Sequence, residues 1–207
     1  MIDTQNAAVN WPDSIWAAVT PTRETAPTLK GETQADVVVI GGGFSGLSTA
    51  LHLAKRGCQV MLLEAMAVGW GASGRNNGQV IPTMSAVEPD QFVERFGETG
   101  ERLAHLIGQS AETLFRLVEA EGIACEAEQT GWFQPAHSPG RIKLSEKRVE
   151  AWRRHGSPAE LLDREAAARL LGSDFWYGGM FNPTGGHINP LSLARGMAEA
   201  CLRTSIS

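Results

Sequence analysis

The stretch DVVVIGGGFSGLSTALHLAKRGCQVMLLE, residues 36–64, decides the fold. It opens with DVVVI (36–40), a β-branched run that ends at three glycines, as a buried parallel strand does before a tight turn. Apolar residues then recur at helical spacing from Leu47 onward, and KRG (55–57) supplies the basic residues and glycine typical of a helix end. Because QVMLLE (59–64) has the composition of a second buried strand, the stretch predicts a βαβ unit with a right-handed crossover.

The turn of this unit carries a glycine pattern that predicts a dinucleotide site. GGGFSG (41–46) satisfies G-x-G-x-x-G: Gly41 permits the tight turn, Gly43 lets a pyrophosphate approach the backbone, and Gly46 lets the helix pack closely on the sheet. The helix N-terminus offers N–H groups and a partial positive charge to that pyrophosphate. Glu64, at the end of the second strand, is placed to accept hydrogen bonds from an adenosine ribose. A glycine turn with a purely structural role is the alternative.

A second glycine-rich stretch, GWGASGRNNGQ (69–79), follows almost at once. Its small residues leave room for a ligand to lie close to the backbone, and a nicotinamide enzyme has no evident need for such a loop. Its polar side chains can hydrogen-bond to that ligand; they belong to Ser73, Arg75, Asn76, Asn77 and Gln79. A surface turn that contacts nothing is the alternative interpretation.

The composition is that of an ordinary globular protein. The chain has 207 residues, of which 43% are hydrophobic and 20% charged. With 18 basic and 23 acidic residues, its net charge of -5 argues against a dedicated nucleic-acid binder. The basic residues between positions 141 and 154 are interleaved with glutamates, so we interpret them as a solvated helix face.

The cysteines and the first residues bear on location. Cys58, Cys125 and Cys201 are far apart and lack the spacing of a metal site or a disulfide framework, so we predict no metal and a reducing cytoplasm. The first residues lack the basic and apolar segments of a signal peptide, and no apolar run approaches the length of a membrane span. The sequence therefore supports neither export nor membrane insertion.

Further elements follow the βαβ unit. Residues 124–138 carry the Trp, Phe and turn residues of a strand or hairpin, which indicates a second subdomain. Apolar residues recur at helical spacing from Leu103 to Val118, and we interpret this stripe as the core-facing side of a helix. Helices are predicted over residues 98–121, from the capping pattern SPAE (157–160), over DREAAARLL (163–171) and over NPLSLARGMAEACL (189–202).

The βαβ stretch and the second glycine-rich stretch resemble the sequences of a known family. VVVIGGGFSGLSTALHLAKRGCQVMLLEA (37–65) and VGWGASGRNNGQ (68–79) closely resemble FAD-dependent oxidoreductases of the D-amino-acid-oxidase-like family. Within it, residues 14–43, the GASGRN-GQ pattern and GGMFNPTGGHINPLSLARGMAEA (178–200) are most similar to the gamma-glutamylputrescine oxidase branch. Asn77 departs from that branch, which often has glycine there. The resemblance covers nearly the whole chain, which corresponds to the N-terminal half of the family fold.

The resemblance implies FAD as a non-covalently bound cofactor, since residues 69–79 contain no His or Cys. It gives no catalytic residue, and we interpret His187 as a structural histidine. The implied cofactor-binding residues are Gly41, Gly43, Phe44, Ser45, Gly46, Glu64, Ala72, Ser73, Arg75, Asn76 and Gln79.

The resemblance further implies oxidation of the C–N bond of an amine or amino acid, with hydride transfer to the flavin and reoxidation by oxygen. A gamma-glutamylated polyamine is among the candidate substrates. Two alternatives stay open. One is a quinone-linked amino-acid dehydrogenase, and the other is a truncated, non-catalytic FAD-binding fragment that needs a partner chain or the missing C-terminal half.

The implied fold class is α/β, with a Rossmann-like FAD-binding domain built on the GxGxxG βαβ unit, part of an α+β substrate domain, and the remainder of the family fold missing. The predicted division is an N-terminal arm (1–34), the first part of the FAD-binding domain (35–122), a partial substrate domain (123–181) and a return helix to the FAD-binding domain (182–207).

Overall fold

The computed structural model describes residues 10–21, 26–84 and 87–204. The strands are β1 (Val37–Ile40), β2 (Val60–Leu63), β3 (Gln79–Val80), β4 (Trp132–Pro135), β5 (Glu160–Leu162), β6 (Gly179–Asn182) and β7 (Gly186–His187). The helices are α1 (Ile15–Val19), α2 (Phe44–Ala54), α3 (Pro89–Phe96), α4 (Glu98–Gly108), α5 (Ser110–Glu121), α6 (Pro139–Arg154), α7 (Arg164–Leu171) and α8 (Pro190–Arg203). The predicted α/β class is confirmed.

The chain packs as two units. Unit 1 contains the chain up to Gly78, Val118–Glu126 and the chain from Ile188 onward, and unit 2 contains Gln79–Leu117 and Ala127–His187. This division differs from the sequence-based one, because residues 79–117 group with residues 127–187. The functional domain bounds therefore stay a prediction.

Unit 1 is built on the predicted βαβ unit. Strands β1 and β2 pair in parallel, with Val37 opposite Val60 and Ile40 opposite Leu63. Helix α2 connects them and fully buries Leu47, together with Ala50 and Leu51 of the predicted apolar stripe. It ends after Ala54, and the chain turns back through glycine in the KRG segment, as predicted. The larger Rossmann-like sheet stays a prediction.

Helix α8 supplies much of the core of unit 1. It begins as the sequence predicts: the Asn189 side chain accepts a hydrogen bond from Ser192 N at 3.1 Å, and Pro190 follows the cap. Leu191, Ala194 and Met197 are buried along one side of the helix. In contrast to these buried residues of α8, Val38 and Ile40 on one face of β1 are 54% and 86% exposed.

Unit 2 contains two small antiparallel sheets. Strands β3 and β7 pair in one, and the other has the order β4–β6–β5. The aromatic stretch predicted as a strand or hairpin does contain a strand, but β4 pairs with the distant β6, with Trp132 opposite Asn182. A buried cluster under this sheet contains Val149, Trp152 and Met180. The pairing partner lies far along the chain, so local turn signals could not identify it.

The predicted helix over residues 98–121 is wrong as one element, because it divides at Gln109. Gly108 is a weak helix former, and the Ser110 hydroxyl donates to the carbonyl oxygen of Ile107 at 2.7 Å, which competes with continuation of the helix. The predicted core stripe is also wrong in part. Leu106, in the predicted core stripe, is 68% exposed, whereas Ala104 is buried.

The helix start predicted at SPAE (157–160) is also wrong. Glu160 begins strand β5 and lies opposite Phe181. Ser157 accepts a hydrogen bond from the Asn182 side chain at 3.1 Å and caps no helix. Tertiary pairing overrides the local pattern here. The helix predicted over residues 163–171 is confirmed, with the Asp163 side chain accepting from Ala166 N at 2.8 Å.

The basic stretch of α6 is less solvated than predicted. Arg148 is buried, and its Nε lies 2.7 Å from Glu88 Oε1. Its Nη1 donates to Gln134 Oε1 at 2.7 Å, and its Nη2 donates to the carbonyl oxygen of Met84 at 2.5 Å. The guanidinium therefore ties α6 to the strand β4 and to the segment before α3. The interpretation as a solvated face is wrong for this residue, because its donors find acceptors on distant segments.

A pH-dependent ion pair also joins α3 and α6. The hydrogen bond from the Arg154 guanidinium, helped by His155, lowers the pKa of the Asp90 carboxyl. A carboxyl whose pKa is lowered on folding stabilises the native state above its unfolded pKa, and this stabilisation is lost as the pH falls through the folded pKa. We expect Asp90→Asn to lower the thermal midpoint at neutral pH and to have no effect in acid below that pKa.

Thermal melting of the Asp90→Asn variant and the unsubstituted protein at neutral and acidic pH checks this. Asp174→Asn, at an exposed position of unit 2, is the control and should show no pH-dependent difference. A difference between Asp90→Asn and the unsubstituted protein that stays constant across the pH range would contradict the assignment.

Candidate functional site

The glycine turn between β1 and α2 has the geometry of a ligand cradle. Gly41 has φ +106°, a backbone conformation that L side chains rarely adopt, and its N–H donates to the carbonyl oxygen of Leu63 at 2.7 Å. Nothing lies within 4 Å of the position where a Cβ of Gly41 would stand. The turn therefore holds bare backbone next to open space at the end of the parallel strands.

At two further glycines of the turn, neighbouring atoms lie so close that an added Cβ would collide with them. A Cβ on Gly46 would overlap the carbonyl oxygen of Gly41, and it would also contact Val39 at 3.4 Å. A Cβ on Gly43 would lie 2.9 Å from Ser73 Oγ. Gly46 thus lets α2 pack against its own turn, and Gly43 lets residue 73 reach the start of α2. The close packing at Gly46 is the role predicted for that glycine, whereas the approach of a pyrophosphate at Gly43 stays a prediction.

Ser73 lies at the N-terminus of α2. Its hydroxyl oxygen accepts a hydrogen bond from the Phe44 N–H at 3.0 Å. A hydroxyl that accepts in this way still has its own proton to donate. The first-turn N–H groups of a helix have no partners within that helix, and they carry its partial positive charge. The helix start and Ser73 together can therefore bind an anionic group such as a pyrophosphate.

The Glu64 carboxylate is hydrogen-bonded to the glycine turn. Its Oε2 accepts from the Gly42 N–H at 2.6 Å, and its Oε1 accepts from the Met66 N–H at 2.9 Å. Each carboxylate oxygen has a second lone pair, so Glu64 can still accept hydrogen bonds from ribose hydroxyls. The two backbone bonds hold the carboxylate beside the glycine turn. Sequence reasoning missed the role of Gly42, which donates one of them.

The loop of residues 69–79 is held in shape mostly by its own groups. It contains a 3₁₀ turn, Ala72–Gly74. The Asn76 side chain donates to the carbonyl oxygen of Ser73 at 2.9 Å and accepts from the Gly78 N–H at 2.9 Å. A Cβ on Gly74 would lie 2.9 Å from Leu191 of α8. Asn76 therefore shapes the loop around Ser73, which is a different use of its amide from the predicted ligand contact.

The other predicted residues are placed as follows. Arg75 lies over the Trp70 ring, 5.1 Å from its centroid, and its Nε donates to the carbonyl oxygen of Gly71 at 3.1 Å. Gln79 begins β3 in unit 2, where its Oε1 accepts from the Trp132 indole at 3.2 Å. Ser45 and Ala72 are exposed. The structure thus brings Gly41, Gly43, Phe44, Gly46, Glu64 and Ser73 together within unit 1.

Residues of metal-binding type do not group in the part of the chain that the structure describes: it holds no cluster of three or more His, Cys, Asp or Glu side chains that could bind a metal ion. His187 is exposed, with its Nε2 3.8 Å from Glu128 Oε2.

Burial raises the pKa of the Cys201 thiol to about 11, with a smaller contribution from Glu121. Across residues 10–21, 26–84 and 87–204, the helices are all too short or too polar to cross a membrane.

The comparison with protein families assigns the class. A sequence model described as DAO, FAD dependent oxidoreductase, matches residues 36–205, which include the glycine turn, Glu64 and the loop of residues 69–79. The chain therefore belongs to the FAD dependent oxidoreductase family, whose cofactor is FAD. The resemblance predicted from the sequence is confirmed.

Individual relatives match most of this chain. Gamma-glutamylputrescine oxidoreductase of Escherichia coli (strain K12) is 38% identical over 175 residues, which are 84% of this chain and 41% of that protein. The probable oxidoreductase OrdL of Haemophilus influenzae is 35% identical over 85% of this chain and 41% of its own length. L-proline dehydrogenase from P. horikoshii shares the fold, with a TM-score of 0.68 at 22% identity over 84% of this chain and 43% of that one. The chain thus spans about two fifths of these proteins.

The residues of unit 1 fit the family cofactor. The open space at Gly41 leaves bare backbone in the turn before α2, where a pyrophosphate can approach. The carboxylate of Glu64 lies at the end of the neighbouring strand, hydrogen-bonded to the turn itself. A donor set of backbone N–H groups, one hydroxyl and one carboxylate is suited to a phosphate and a ribose together.

Proposed function

We propose that this chain binds FAD non-covalently and forms the cofactor-binding part of an oxidoreductase that oxidises the C–N bond of an amine or amino acid. The observation that carries the proposal is the open glycine turn at the start of α2 with Glu64 beside it. The first-turn N–H groups and the Ser73 hydroxyl would hold the pyrophosphate, and Glu64 would hold the adenosine ribose. The loop of residues 69–79 would line the flavin side.

When bound, FAD supplies the acceptor for the hydride that leaves the carbon next to the amine nitrogen. The contribution of this chain is binding and orientation. The bare backbone of the turn and of residues 69–79 lets the cofactor lie close to the protein. The polar groups there would hydrogen-bond to the phosphates and to the polar edges of the flavin ring, because a buried polar group without a partner is costly. We assign no residue of this chain to proton transfer.

The finer assignments rest on the relatives. A gamma-glutamylated polyamine is the substrate that we propose first, because a relative 38% identical to this chain is named Gamma-glutamylputrescine oxidoreductase. We propose oxygen as the electron acceptor, with a quinone-linked amino-acid dehydrogenase as the alternative. A cytoplasmic location is proposed from the spacing of the cysteines.

Turnover is proposed to need polypeptide that this chain does not contain. Parallel sheets are normally covered on both faces, yet Val38 and Ile40 leave one face of β1 exposed. The relatives are also longer, since the matched regions are 41% of their length. A second polypeptide, or the remainder of the family fold, would cover this face. The alternative is a non-catalytic FAD-binding fragment.

The visible absorption spectrum after incubation with FAD and gel filtration tests the proposal. Flavin bands that co-elute with the protein would support a working site within this chain, and bleaching by added amines or amino acids would then test for turnover. A colourless protein peak would overturn the proposal that this chain holds FAD by itself.

Glu64→Gln is expected to weaken FAD binding by about 1.5 to 3 kcal/mol, because the ribose hydroxyls lose a charged acceptor. Glutamine is close to glutamate in size, so an intact fold is expected, but its single acceptor oxygen can keep only one of the bonds from Gly42 and Met66. Titration of the flavin fluorescence with protein measures the dissociation constant. Glu165→Gln, which alters an exposed ion pair of α7, is the control and should leave FAD binding unchanged. Equal affinity in the Glu64→Gln variant would remove Glu64 from the site.

A further inference from the structure

A short segment near the N-terminus, residues 10–21, packs in unit 1 although it precedes the βαβ unit. It contains α1, which begins where the Ser14 hydroxyl accepts from the Ala17 N–H at 3.2 Å. We refer to residues 10–21 as the α1 segment. The sequence-based division places this segment in the N-terminal arm (1–34).

The α1 segment contacts the loop of residues 69–79 at two places. The Trp16 indole N–H donates to the carbonyl oxygen of Asn76 at 2.8 Å, and its ring lies 3.4 Å from the position of a Cβ on Gly78. The Trp70 indole N–H donates back to the carbonyl oxygen of Asn10 at 3.0 Å. The segment and the loop therefore hold each other through two indole hydrogen bonds.

The other end of the α1 segment is anchored on α8. The buried Thr20 hydroxyl accepts from the Asn189 side-chain amide at 3.0 Å, and Asn189 is also the cap of α8. Arg195 lies over the Trp11 ring at 4.9 Å and donates to the carbonyl oxygen of Pro21 at 2.6 Å. Because α8 belongs to the core of unit 1, the segment is a fixed support and can in turn fix the loop.

A continuous chain of hydrogen bonds leads from Trp16 to the start of α2. Trp16 holds the carbonyl oxygen of Asn76, and the Asn76 side chain holds the carbonyl oxygen of Ser73 at 2.9 Å. The Ser73 hydroxyl accepts from the Phe44 N–H at 3.0 Å. The position of Ser73 at the proposed pyrophosphate site thus depends on a residue of the α1 segment.

We propose that the α1 segment positions the loop of residues 69–79 for FAD, with Trp16 as a positioning residue. The segment keeps the loop ordered before the cofactor binds, so the cofactor does not have to order the loop itself. This inference rests on the proposed FAD site, because it assigns a support to that site.

Hydrogen exchange in the FAD-free protein tests the support directly. Trp16→Phe keeps an aromatic side chain but removes the N–H donor and the outer part of the indole, whose Cζ2 lies near Gly78. We expect faster exchange in the variant for the amides of Gly74, Arg75 and Gly78, which are bonded within the loop. Amides of strand β6 should be unchanged. Trp176→Phe, in unit 2, is the matched control. Unchanged exchange in the loop of Trp16→Phe would overturn the proposal.

The FAD dissociation constant tests the consequence for binding. We expect Trp16→Phe to raise it roughly tenfold, the effect of one lost hydrogen bond, while the thermal midpoint of the FAD-free protein changes little. An unchanged dissociation constant would overturn the positioning role. If the unsubstituted protein retains no FAD, the proposed function fails instead, and the exchange measurement still decides whether Trp16 orders the loop.

Discussion

Replacing Gly46 by alanine is expected to abolish FAD retention and to lower the free energy of unfolding by about 3 kcal/mol. The added methyl group would overlap the carbonyl oxygen of Gly41, which is backbone and cannot rotate away. Either α2 must move off the sheet or the turn must open, and both changes displace the N–H groups at the start of the helix. Chemical unfolding and the spectrum after gel filtration with FAD measure the two effects.

Gly140→Ala is the matched control for this substitution. Gly140 lies in the first turn of α6 in unit 2, and nothing lies within 4 Å of its Cβ position. Alanine favours a helix over glycine, so this variant should be as stable as the unsubstituted protein or slightly more stable, and it should retain FAD. If Gly46→Ala instead matched Gly140→Ala in both measurements, the close packing at Gly46 could not be what the glycine provides.

The βαβ unit could be predicted because its determinants are contiguous. One strand, the turn, one helix and the next strand follow each other between residues 36 and 64, and Gly42, Gly43 and Gly46 approach groups from the same stretch or from Ser73 soon after it. The position of Glu64 beside the turn could be predicted for the same reason, since the parallel pairing of β1 and β2 brings the end of β2 to the turn. Local patterns are sufficient where the partners are local.

The support of the loop could not be predicted from the same patterns. The glycines and amides of residues 69–79 indicate a ligand, but Asn76 uses its side chain to hold Ser73 and Gly78. The partner of its backbone carbonyl is Trp16, which lies 60 positions away. A tryptophan in a polar arm has no sequence signal for this role, because its indole N–H is satisfied only by a distant backbone carbonyl.

Unit 2 was predicted less well for a related reason. The SPAE pattern satisfies the local requirements of a helix start, yet the pairing of Glu160 with Phe181 gives a strand. Arg148 lies in a run of charged residues that looks solvated, yet three acceptors from elsewhere in the unit surround its guanidinium. In both cases the sequence specifies what a segment can do alone, and tertiary contacts select the outcome.

Arg148→Met is therefore expected to be one of the most damaging single changes in unit 2, with a loss of about 3 kcal/mol in the free energy of unfolding. The Arg148 side chain is only 8% exposed. Methionine fills part of its volume but leaves the Glu88 carboxylate without its ion-pair partner and the Gln134 and Met84 oxygens without a hydrogen-bond donor. The Glu88 side chain is 31% exposed, so its unpaired carboxylate is only partly hydrated, and this cost adds to the two lost hydrogen bonds. Chemical unfolding at neutral pH measures the loss.

Two further variants separate this cause from a loss of packing. Arg169→Met removes the exposed partner of Glu165 and should leave the stability within the error of the measurement, since exposed ion pairs contribute little. Adding Glu88→Gln to Arg148→Met removes the unpaired charge, so the double variant should recover part of the lost stability. If the double variant were instead less stable than Arg148→Met by the full effect of Glu88→Gln alone, the two side chains would be acting independently, and the damage would come from packing.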